Sequence, residues 1–241
     1  MSTVSILGLP IQNVTMAEAV EDVYPFLSER KNRIVVTPNA EILQAYATDP
    51  KVHETLLQAD YVIPDGIGVV LASRKLGTPL KEKVAGVELA AHLIARCERD
   101  GKRVYFLGAK PGVAELAKAN FLKKHPKLIV AGLRDGYFQP EDEPQIIEEI
   151  NSLNVDMLFV CLGAPRQEIW MVEHRHLLKV GVMLGLGGSL DVFAGTVKRA
   201  PRWMIRLGLE WLYRICKEPW RLKRVMELPF FLMSIKKRSQ D

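Results

Sequence analysis

The chain has 241 residues, of which 48% are hydrophobic and 25% are charged, and this ordinary composition excludes an intrinsically disordered protein. Its formal charge of +5 is the sum of two oppositely charged parts. Residues 198–241 hold 12 Lys and Arg against 4 Asp and Glu, a net charge of +8, so residues 1–197 have a net charge of −3. A basic tail on a mildly acidic body indicates an anionic partner, and composition alone leaves nucleic acid, a membrane surface and a phosphorylated substrate open.

The chain lacks the sequence features of membrane-spanning, secreted and disulfide-rich proteins. No run of 18 apolar residues is present, so we expect no transmembrane helix. The first residues have neither the basic region nor the long apolar core of a signal peptide. Cys97, Cys161 and Cys216 are widely spaced and form no CxxC pair, which favours a cytosolic protein without a disulfide framework or a zinc site.

The first half of the chain alternates helix-like and strand-like segments. Thr15 and Glu18 form a capping box, which predicts a helix from about Met16 to Ser28. The segment Arg33–Asn39 predicts a short buried strand that ends in a Pro-containing loop. The remaining predictions, in chain order, are helices over 40–48 and 51–59, a strand over Tyr61–Gly66, a helix to about Leu76 and a helix over Gly86–Asp100 that ends at Gly101.

The second half repeats a unit of strand, glycine turn and helix. The predicted strands are 102–109, 128–132, 155–165 and 180–192 including their turns, and the predicted helices are 113–124, 143–153 and 167–179. Near-continuous apolar strands between helices are typical of a parallel sheet that is covered on both faces. We therefore predict an α/β protein with a Rossmann-like, largely parallel sheet.

The pattern changes after Val197. The tail has no strand-like alternation, and it predicts two or three short helices broken at Pro219 and Pro229. Its apolar residues fall on one helical stripe, with arginines beside it: Trp203, Leu207, Trp211 and Ile215. Such a basic amphipathic element is typical of a membrane surface, although the stripe could equally pack on the body. We predict a catalytic body over 1–197 and a basic helical appendage over 198–241.

Ligands of open parallel sheets bind outside the carboxyl ends of the strands, so polar residues just after strands are candidates. Each of them alone is typical of an ordinary turn, and Asp-Gly is a common turn pair. Together they predict a binding cleft. They are Thr37, Asn39, Asp65, Lys83, Asp135, Tyr137, Arg166, Gln167 and Asp191.

The glycine turns at Gly108, Gly163 and Gly185–Gly188 would let backbone amides approach phosphate oxygens, although each could simply turn a tight corner. Neither GxGxxG nor GxxxxGK[ST] is present, which disfavours NAD and P-loop chemistry. Scattered histidines and the lack of a D-x-D pattern disfavour a metal, and a nucleophilic serine motif is missing. What remains is a carboxylate, Asp65, with hydroxyl and amide donors and many arginines. That set fits general-base activation of a hydroxyl with cationic stabilisation of a departing phosphate.

Five motifs resemble the WecG/TagA/CpsF glycosyltransferase family over essentially the whole chain, and most closely its TagA branch. They are TPNAEIL (Thr37–Leu43), PDGIGVV (Pro64–Val70), GAPRQEIW (Gly163–Trp170), GLGGSLDVFAG (Gly185–Gly195) and KRAPRWMIRLGLEWLYRICKEPWR (Lys198–Arg221). The resemblance implies transfer of N-acetylmannosamine from its UDP donor to undecaprenyl-diphosphate-linked N-acetylglucosamine, in wall teichoic acid synthesis. It implies an enzyme at the inner face of the plasma membrane that uses no cofactor and no metal.

The resemblance also implies roles for individual residues. Asp65 would be the base on the acceptor C4 hydroxyl, Thr37 would bind sugar beside it, and Gln167 would contact the donor sugar or the transition state. The implied donor-binding residues are Asn39, Lys83, Gly108, Tyr137, Gly163, Arg166, Gly187 and Asp191. Arg214, Arg221 and Arg224 would reach the diphosphates. The chain departs from the family pattern at Lys83, where arginine is expected, and at Arg166, where lysine is frequent; a lysine contacts phosphate as a point charge.

Several alternatives remain open from the sequence. Within the family, the donor could be N-acetylmannosaminuronic acid, or the acceptor could belong to capsule or exopolysaccharide synthesis. A non-catalytic nucleotide-binding scaffold at the membrane is an alternative of another class. Nucleic-acid binding is disfavoured, because the tail intersperses its cations with Trp, Leu and Phe and has no DNA-reading motif. Exposed apolar residues of the tail could also pair subunits into a homo-oligomer in solution.

Overall fold

Eight strands lie within residues 2–217, the part of the chain that the computed structural model describes. They are β1 (Thr3–Ile6), β2 (Leu9–Gln12), β3 (Arg33–Val36), β4 (Tyr61–Val62), β5 (Arg103–Gly108), β6 (Ile129–Arg134), β7 (Met157–Cys161) and β8 (Val182–Gly185). The last six form one parallel sheet in the order β4-β3-β8-β7-β5-β6. The predicted α/β class and parallel pairing are confirmed.

Helices connect these strands, as the alternating pattern predicts. They are α1 (Met16–Val23), α2 (Phe26–Glu29), α3 (Ala40–Thr48), α4 (Pro50–Leu57), α5 (Ile67–Lys75), α6 (Gly86–Arg99), α7 (Val113–Lys124), α8 (Glu143–Ser152), α9 (Arg166–Glu173), α10 (Ser189–Ala194), α11 (Arg202–Arg206) and α12 (Glu210–Lys217). A short 3-10 turn over Pro140–Asp142 precedes α8. The capping box at Thr15 and Glu18 begins α1 as predicted.

The sheet separates two hydrophobic cores. Side chains of a strand alternate between the faces, so Leu158 and Val160 of β7 enter one core, whereas Met157 and Phe159 enter the other. Helices α3, α4, α5, α8 and α9 contribute to the first core, and α1, α6, α7 and α10 contribute to the second. All residues of β7 and β8 are buried, which accounts for their continuous apolar sequence.

An antiparallel hairpin, β1–β2, precedes the parallel sheet and was not predicted from the sequence. Val4, Ile6, Leu9 and Ile11 are buried in the first core, while the residues between them are exposed or half-buried. This alternation with period two is the signal of a half-buried strand, and here it extends over only four residues in each strand. The hairpin therefore adds its buried face to the first core.

Three helix predictions differ from the structure in their boundaries. The helix predicted over 167–179 begins at Arg166 and ends at Glu173, where turns over 174–177 follow. The helix predicted over Met16–Ser28 is divided into α1 and α2, and Pro25 stands immediately before α2. Proline lacks a backbone N–H and cannot continue the hydrogen-bond ladder of α1. In the tail, the single stripe from Trp203 to Ile215 is divided between α11 and α12 at Gly208, whose φ is +71°. The predicted breaks at Pro219 and Pro229 lie outside the described residues.

No described helix is both long and apolar enough to cross a bilayer. The described part of the tail instead forms two short helices, and some of its large apolar side chains are exposed. Trp203 is 60% exposed and Leu207 is 66% exposed. At Gly208, an added Cβ would come within 3.0 Å of Ile67, so this glycine permits close packing of the tail on the start of α5.

Candidate active site

The carboxyl ends of the parallel strands bring the predicted site residues to one edge of the sheet. In spatial order, the loops after β4, β3, β8 and β7 lead to Asp65, Thr37, Gly187 and Gln167. Neighbouring strands stand about 4.8 Å apart, so residues far apart in sequence become neighbours. This is the edge at which open α/β sheets bind ligands.

Asp65 is oriented by the beginning of α6. Its Oδ2 accepts a hydrogen bond from the backbone N–H of Gly86 over 3.2 Å. Gly86 is the first residue of α6, and backbone N–H groups at a helix N-terminus suit an anionic partner. The loop is closed by a second bond, from Val84 N–H to the carbonyl oxygen of Pro64 over 2.9 Å. The carboxylate therefore has a defined position at the edge of the cleft.

Thr37 lies on the other side of Gly86. Its side chain is buried, and its hydroxyl donates to the carbonyl oxygen of Gly185 over 2.9 Å. A Cβ on Gly86 would come within 2.9 Å of Thr37 Cγ2, a distance that real Cβ contacts do not show. The missing side chain at Gly86 therefore leaves room for Thr37 beside the residue whose N–H binds Asp65.

Gln167 joins the same group through the end of β8. Its side chain is 2% exposed, and its Oε1 accepts from the backbone N–H of Gly187 over 2.8 Å. Its Nε2 donates to Glu168 Oε1 over 2.8 Å. A Cβ on Gly185 would stand 3.1 Å from Gln167 Nε2, so the amide lies directly against the last residue of β8. The carbonyl oxygen of the same residue accepts the hydrogen bond from Thr37.

Glu168 is a site residue that sequence reasoning missed. It is 1% exposed, and burial raises the pKa of its carboxyl group above the ordinary value. Its Oε2 has no hydrogen-bond partner within the described part of the chain. A sequence signal existed, because a glutamate at i, i+3 from the apolar Met171 lies on the same side of the predicted helix and needs an explanation if that side is buried.

A second group of loops meets between β5, β6 and β7. Gly108 ends β5 with a φ of +124°, and an added Cβ would come within 2.3 Å of the carbonyl oxygen of Cys161. The backbone N–H of Gly136 donates to the carbonyl oxygen of Ala109 over 2.9 Å. Packing between strands therefore explains Gly108 without a ligand, and its donor-binding role stays a prediction.

Arg166 and Tyr137 stand beside these loops. Arg166 begins α9 and donates from Nη1 to the carbonyl oxygen of Gly136 over 3.2 Å, and its guanidinium lies 5.1 Å from the centre of the Phe138 ring. Tyr137 is 66% exposed. The contact of Tyr137 with the donor stays a prediction.

The other predicted donor-binding residues have mixed local roles. Asn39 caps α3, since its Oδ1 accepts from the N–H of Ile42 over 3.0 Å. Asp191 lies in the first turn of α10, and Thr196 donates to its backbone carbonyl over 3.0 Å. Gly163 and Gly187 have φ of +80° and +52°, and a Cβ on either would meet no described atom within 4 Å. The space beside these two glycines is open, which suits a ligand.

Lys83 is paired with the tail. Its Nζ lies 3.3 Å from Glu210 Oε2 at the start of α12, and Glu210 Oε1 lies 3.7 Å from Arg199 Nε. Arg199 also pairs with Glu88 of α6 over 3.0 Å. These ion pairs connect the appendage to the segment that follows Asp65. The contact of Lys83 with a donor phosphate stays a prediction.

The Cys161 thiol ends β7 at this edge and is buried. Burial raises the pKa of the Cys161 thiol to about 12, so a thiolate is scarce at neutral pH. Within residues 2–217, no three His, Cys, Asp or Glu side chains are grouped as a metal site would require. A cavity of about 670 Å³ opens along α8, lined by residues such as Glu143, Ile147 and His174, and none of the predicted site residues lines it.

The model of the glycosyl transferase WecG/TagA/CpsF family matches residues 4–240. The chain belongs to the WecG/TagA/CpsF family. It is therefore a glycosyltransferase, and the resemblance of its five motifs is confirmed.

Curated relatives within the WecG/TagA/CpsF family are similar over almost their full lengths. A Bacillus subtilis (strain 168) protein is 35% identical over 242 residues, which cover 100% of this chain and 94% of that protein. A Staphylococcus aureus (strain MW2) protein is 36% identical over 97% of this chain and 92% of its own length. A Bacillus spizizenii protein is 37% identical over 89% and 83%. All three are named N-acetylglucosaminyldiphosphoundecaprenol N-acetyl-beta-D-mannosaminyltransferase.

Part of the expected WecG/TagA/CpsF site belongs to the tail. Arg214 lies in α12, but its side chain is outside the described residues, and so are Arg221 and Arg224 entirely. Their contacts with diphosphates, and the division of the chain at residue 197, stay predictions.

Proposed function

We propose that this glycosyltransferase moves N-acetylmannosamine from UDP-N-acetylmannosamine to the C4 hydroxyl of N-acetylglucosamine on undecaprenyl diphosphate. The product would enter wall teichoic acid synthesis. The names of the relatives support this choice of sugar and acceptor, because they match nearly the whole chain at 35–37% identity.

One structural observation carries the proposal. Asp65 and Thr37 come from two separate loops and Gln167 from the first turn of α9, and Gly86 and Gly185 join them into one contiguous group at the carboxyl edge. A general base needs a hydroxyl within hydrogen-bond reach, and this edge supplies a carboxylate beside buried polar side chains that could orient a sugar. A scaffold that only binds nucleotides would not need a carboxylate at this position.

The proposed reaction is a single displacement. Asp65 takes the proton of the acceptor C4 hydroxyl while that oxygen bonds to the anomeric carbon of the donor. The bond between the anomeric carbon and the phosphate oxygen breaks, and UDP leaves with the electron pair. The beta linkage in the relatives' names supports inversion, because the sugar of a UDP-N-acetylhexosamine donor is alpha-linked.

Negative charge that develops on the departing diphosphate needs compensation. We assign this role to side-chain cations, namely Lys83, Arg166 and the tail arginines Arg214, Arg221 and Arg224. Cations that stand in place before the reaction stabilise the leaving group without reorganisation. We propose on this basis that transfer needs no metal. Retention of activity in excess EDTA is the expected result, and complete loss that Mg²⁺ or Mn²⁺ restores would overturn this point.

The acceptor carries a long lipid, so the enzyme must work at a membrane surface. We propose that α11 and α12 contact that surface, since Trp203, Leu207, Trp211 and Leu212 expose 38–66% of their area on two short helices. Tryptophan and leucine beside Arg and Lys suit the boundary between headgroups and acyl chains.

A donor panel tests the proposed function. The purified protein is incubated with a short-chain lipid-diphosphate-N-acetylglucosamine and with UDP-N-acetylmannosamine, UDP-N-acetylglucosamine or UDP-N-acetylmannosaminuronic acid in turn. We expect a disaccharide product from the first donor only, with a beta linkage by nuclear magnetic resonance. Preferential use of the uronic acid would assign the chain to the alternative donor. Nucleotide binding without any transfer would support the scaffold.

A further inference from the structure

We propose that Glu168 is a positioning residue of the transfer reaction, which in its uncharged form fixes the side-chain amide of Gln167. The proposal rests on the proposed function, because Gln167 is taken to contact the donor sugar or the transition state. Glu168 itself would touch neither substrate.

The hydrogen bonds of Gln167 define which way its amide points. The backbone N–H of Gly187 can only donate, so the atom of Gln167 that faces it must be the acceptor Oε1. Nε2 then faces Glu168 and donates to Oε1 of that carboxyl group. A flipped amide would place two donors against each other at Gly187 and an oxygen against the carboxyl oxygen. Glu168 and Gly187 therefore hold the amide from both sides.

The surroundings of Glu168 favour a carboxyl group that keeps its proton. The side chain is 1% exposed, its described side-chain partner is the neutral amide of Gln167, and Oε2 has no described hydrogen-bond partner. An ionised carboxylate in such a place would lose its hydration without gaining a cation. In the uncharged form, Oε1 still accepts from Gln167 and Oε2 carries the proton.

Within residues 2–217, α9 packs mainly against α4, β3, β7 and β8, and no cation of these elements pairs with Glu168. Strand β8 carries no titratable side chain, and β7 carries only the buried thiol of Cys161. The charged or titratable groups of β3 and α4 have other contacts. Arg33 of β3 pairs with Glu29 and Asp60. In α4, Lys51 pairs with Glu173, His53 stacks on Tyr46, and Glu54 is exposed.

Three variants at position 168 separate an uncharged positioning group from a charged one. Glu168→Gln keeps the shape and an acceptor oxygen without a charge, so we expect kcat to stay within about threefold of the unchanged protein. Glu168→Met keeps a similar volume but removes the acceptor, and we expect kcat to fall about tenfold because a buried donor of Gln167 loses its partner. Glu168→Asp shortens the side chain and should resemble Glu168→Met.

A double variant tests whether Glu168 acts through Gln167. If it does, Gln167→Ala with Glu168→Met should have the same kcat as Gln167→Ala alone, whereas two independent losses would multiply. Multiplied losses, or a Glu168→Gln variant as impaired as Glu168→Met, would overturn the proposal. Ile150→Ala is the stability control. Ile150 of α8 is buried in the first core, so its truncation leaves a cavity there and should lower the melting temperature without lowering kcat.

Melting temperature against pH gives a readout that does not depend on transfer. Both states of the protein keep the Glu168 proton below the ordinary glutamate pKa of about 4.3. Above it, the unfolded chain releases the proton and the folded protein retains it, so the unchanged protein loses stability as pH rises relative to Glu168→Gln. We expect the advantage of Glu168→Gln to grow as pH rises above the ordinary glutamate pKa, for as long as the folded protein retains the proton. An advantage that stays constant would overturn the uncharged form.

The proposed function and the positioning role of Glu168 can be disproved by different results. Loss of the proposed function would appear as absent transfer by the unchanged protein in the donor panel. Full activity of Gln167→Ala in an otherwise active enzyme would overturn the positioning role alone.

Discussion

The carboxylate of Asp65 accepts a hydrogen bond from the backbone N–H of Gly86 over 3.2 Å, and the same glycine leaves room for Thr37. The first turn of α6 therefore organises two side chains that come from different strands. The hydrogen bond from Gly86 needs only an acceptor oxygen, which an asparagine also has. Removal of a proton from a hydroxyl, in contrast, requires the carboxylate. This distinction allows the chemical role of Asp65 to be measured apart from its structural one.

Asp65→Asn should lower kcat by about 100-fold or more, because the amide cannot take a proton from the acceptor hydroxyl. Its Oδ1 can still accept from Gly86, so the melting temperature should be unchanged. The measurement is disaccharide formation at saturating donor and acceptor, with thermal unfolding of the same sample. A kcat near that of the unchanged enzyme would remove Asp65 from the role of base.

Gly86→Ala should lower kcat about tenfold, because the new methyl group would displace Thr37 from Gly185, and loss of one oriented hydrogen bond has about this effect. Alanine itself is a better helix former than glycine, so helix propensity does not predict the loss. Thr37→Ser removes Cγ2, the atom that lies 2.9 Å from the new Cβ, and retains the hydroxyl. The double variant should therefore recover part of the lost rate. A double variant no better than Gly86→Ala would contradict the steric explanation.

Lys83→Met should raise the KM for the UDP-sugar about tenfold if Lys83 binds a donor phosphate, since a charge-assisted hydrogen bond contributes about 1.5–3 kcal/mol. Lys83→Arg should keep the KM low. Glu210→Gln breaks the same ion pair but leaves the cation, so its KM should not rise. An equal rise for Lys83→Met and Glu210→Gln would mean that Lys83 acts by anchoring α12. Lys81→Met is the matched control, because its pair with Glu18 is exposed and contributes little.

Asp60→Asn should destabilise the sheet at neutral pH. Burial raises the pKa of Asp60, but hydrogen bonds from the Ile34 N–H, Arg33 and Arg175 outweigh burial and hold the pKa below its ordinary value. The ionised group therefore contributes stability above the ordinary pKa near 3.9, and this contribution is lost as pH falls through the folded-state pKa. We expect a loss of about 2 kcal/mol at pH 7 that narrows in acid, measured by urea unfolding. A loss independent of pH would contradict the ion-pair explanation.

Trp203→Ser with Leu207→Ser should weaken flotation with anionic phospholipid vesicles, because both exposed side chains would bury apolar area in the membrane boundary. Transfer to a long-chain acceptor in vesicles should fall, while transfer to a short-chain acceptor in solution should stay the same. Leu57→Ser is the control, since Leu57 is 51% exposed on α4, in the body of the protein. Equal losses with both acceptors would indicate that the two residues act on the site and not on the membrane.

The sequence predicted the helices and parallel strands well where a single residue pattern extends over a long segment. Helix α7 has the predicted bounds Val113–Lys124, because its glycine start and basic last turn are local signals. The β1–β2 hairpin was missed because four alternating residues are too short a pattern to separate from a loop. The break at Gly208 was missed because a left-handed glycine inside an apolar stripe is recognisable only from its backbone conformation.

Some features of the candidate site were likewise predicted from the sequence, and others were not. Residue type and position after a strand identified Asp65, Thr37 and Gln167, and the family motifs supplied their expected roles. Gly86 contacts both Asp65 and Thr37 although it lies 21 residues after Asp65, and no local pattern could predict that contact. Glu168 follows Gln167 directly in the chain, but its burial beside the Gln167 amide depends on the fold. Lys83 was expected at a phosphate, and its pairing with Glu210 depends on how the tail packs on the body.

The sequence by itself determined an α/β glycosyltransferase with a weakly acidic body and a basic, apolar tail, because composition, periodicity and family motifs are properties of the chain alone. Only the tertiary structure decided which polar residues act together, because strand order brings the ends of β4, β3, β8 and β7 side by side regardless of their order in the chain. Burial likewise depends on the whole fold, and it is burial that makes Glu168 an uncharged partner of Gln167 in our proposal.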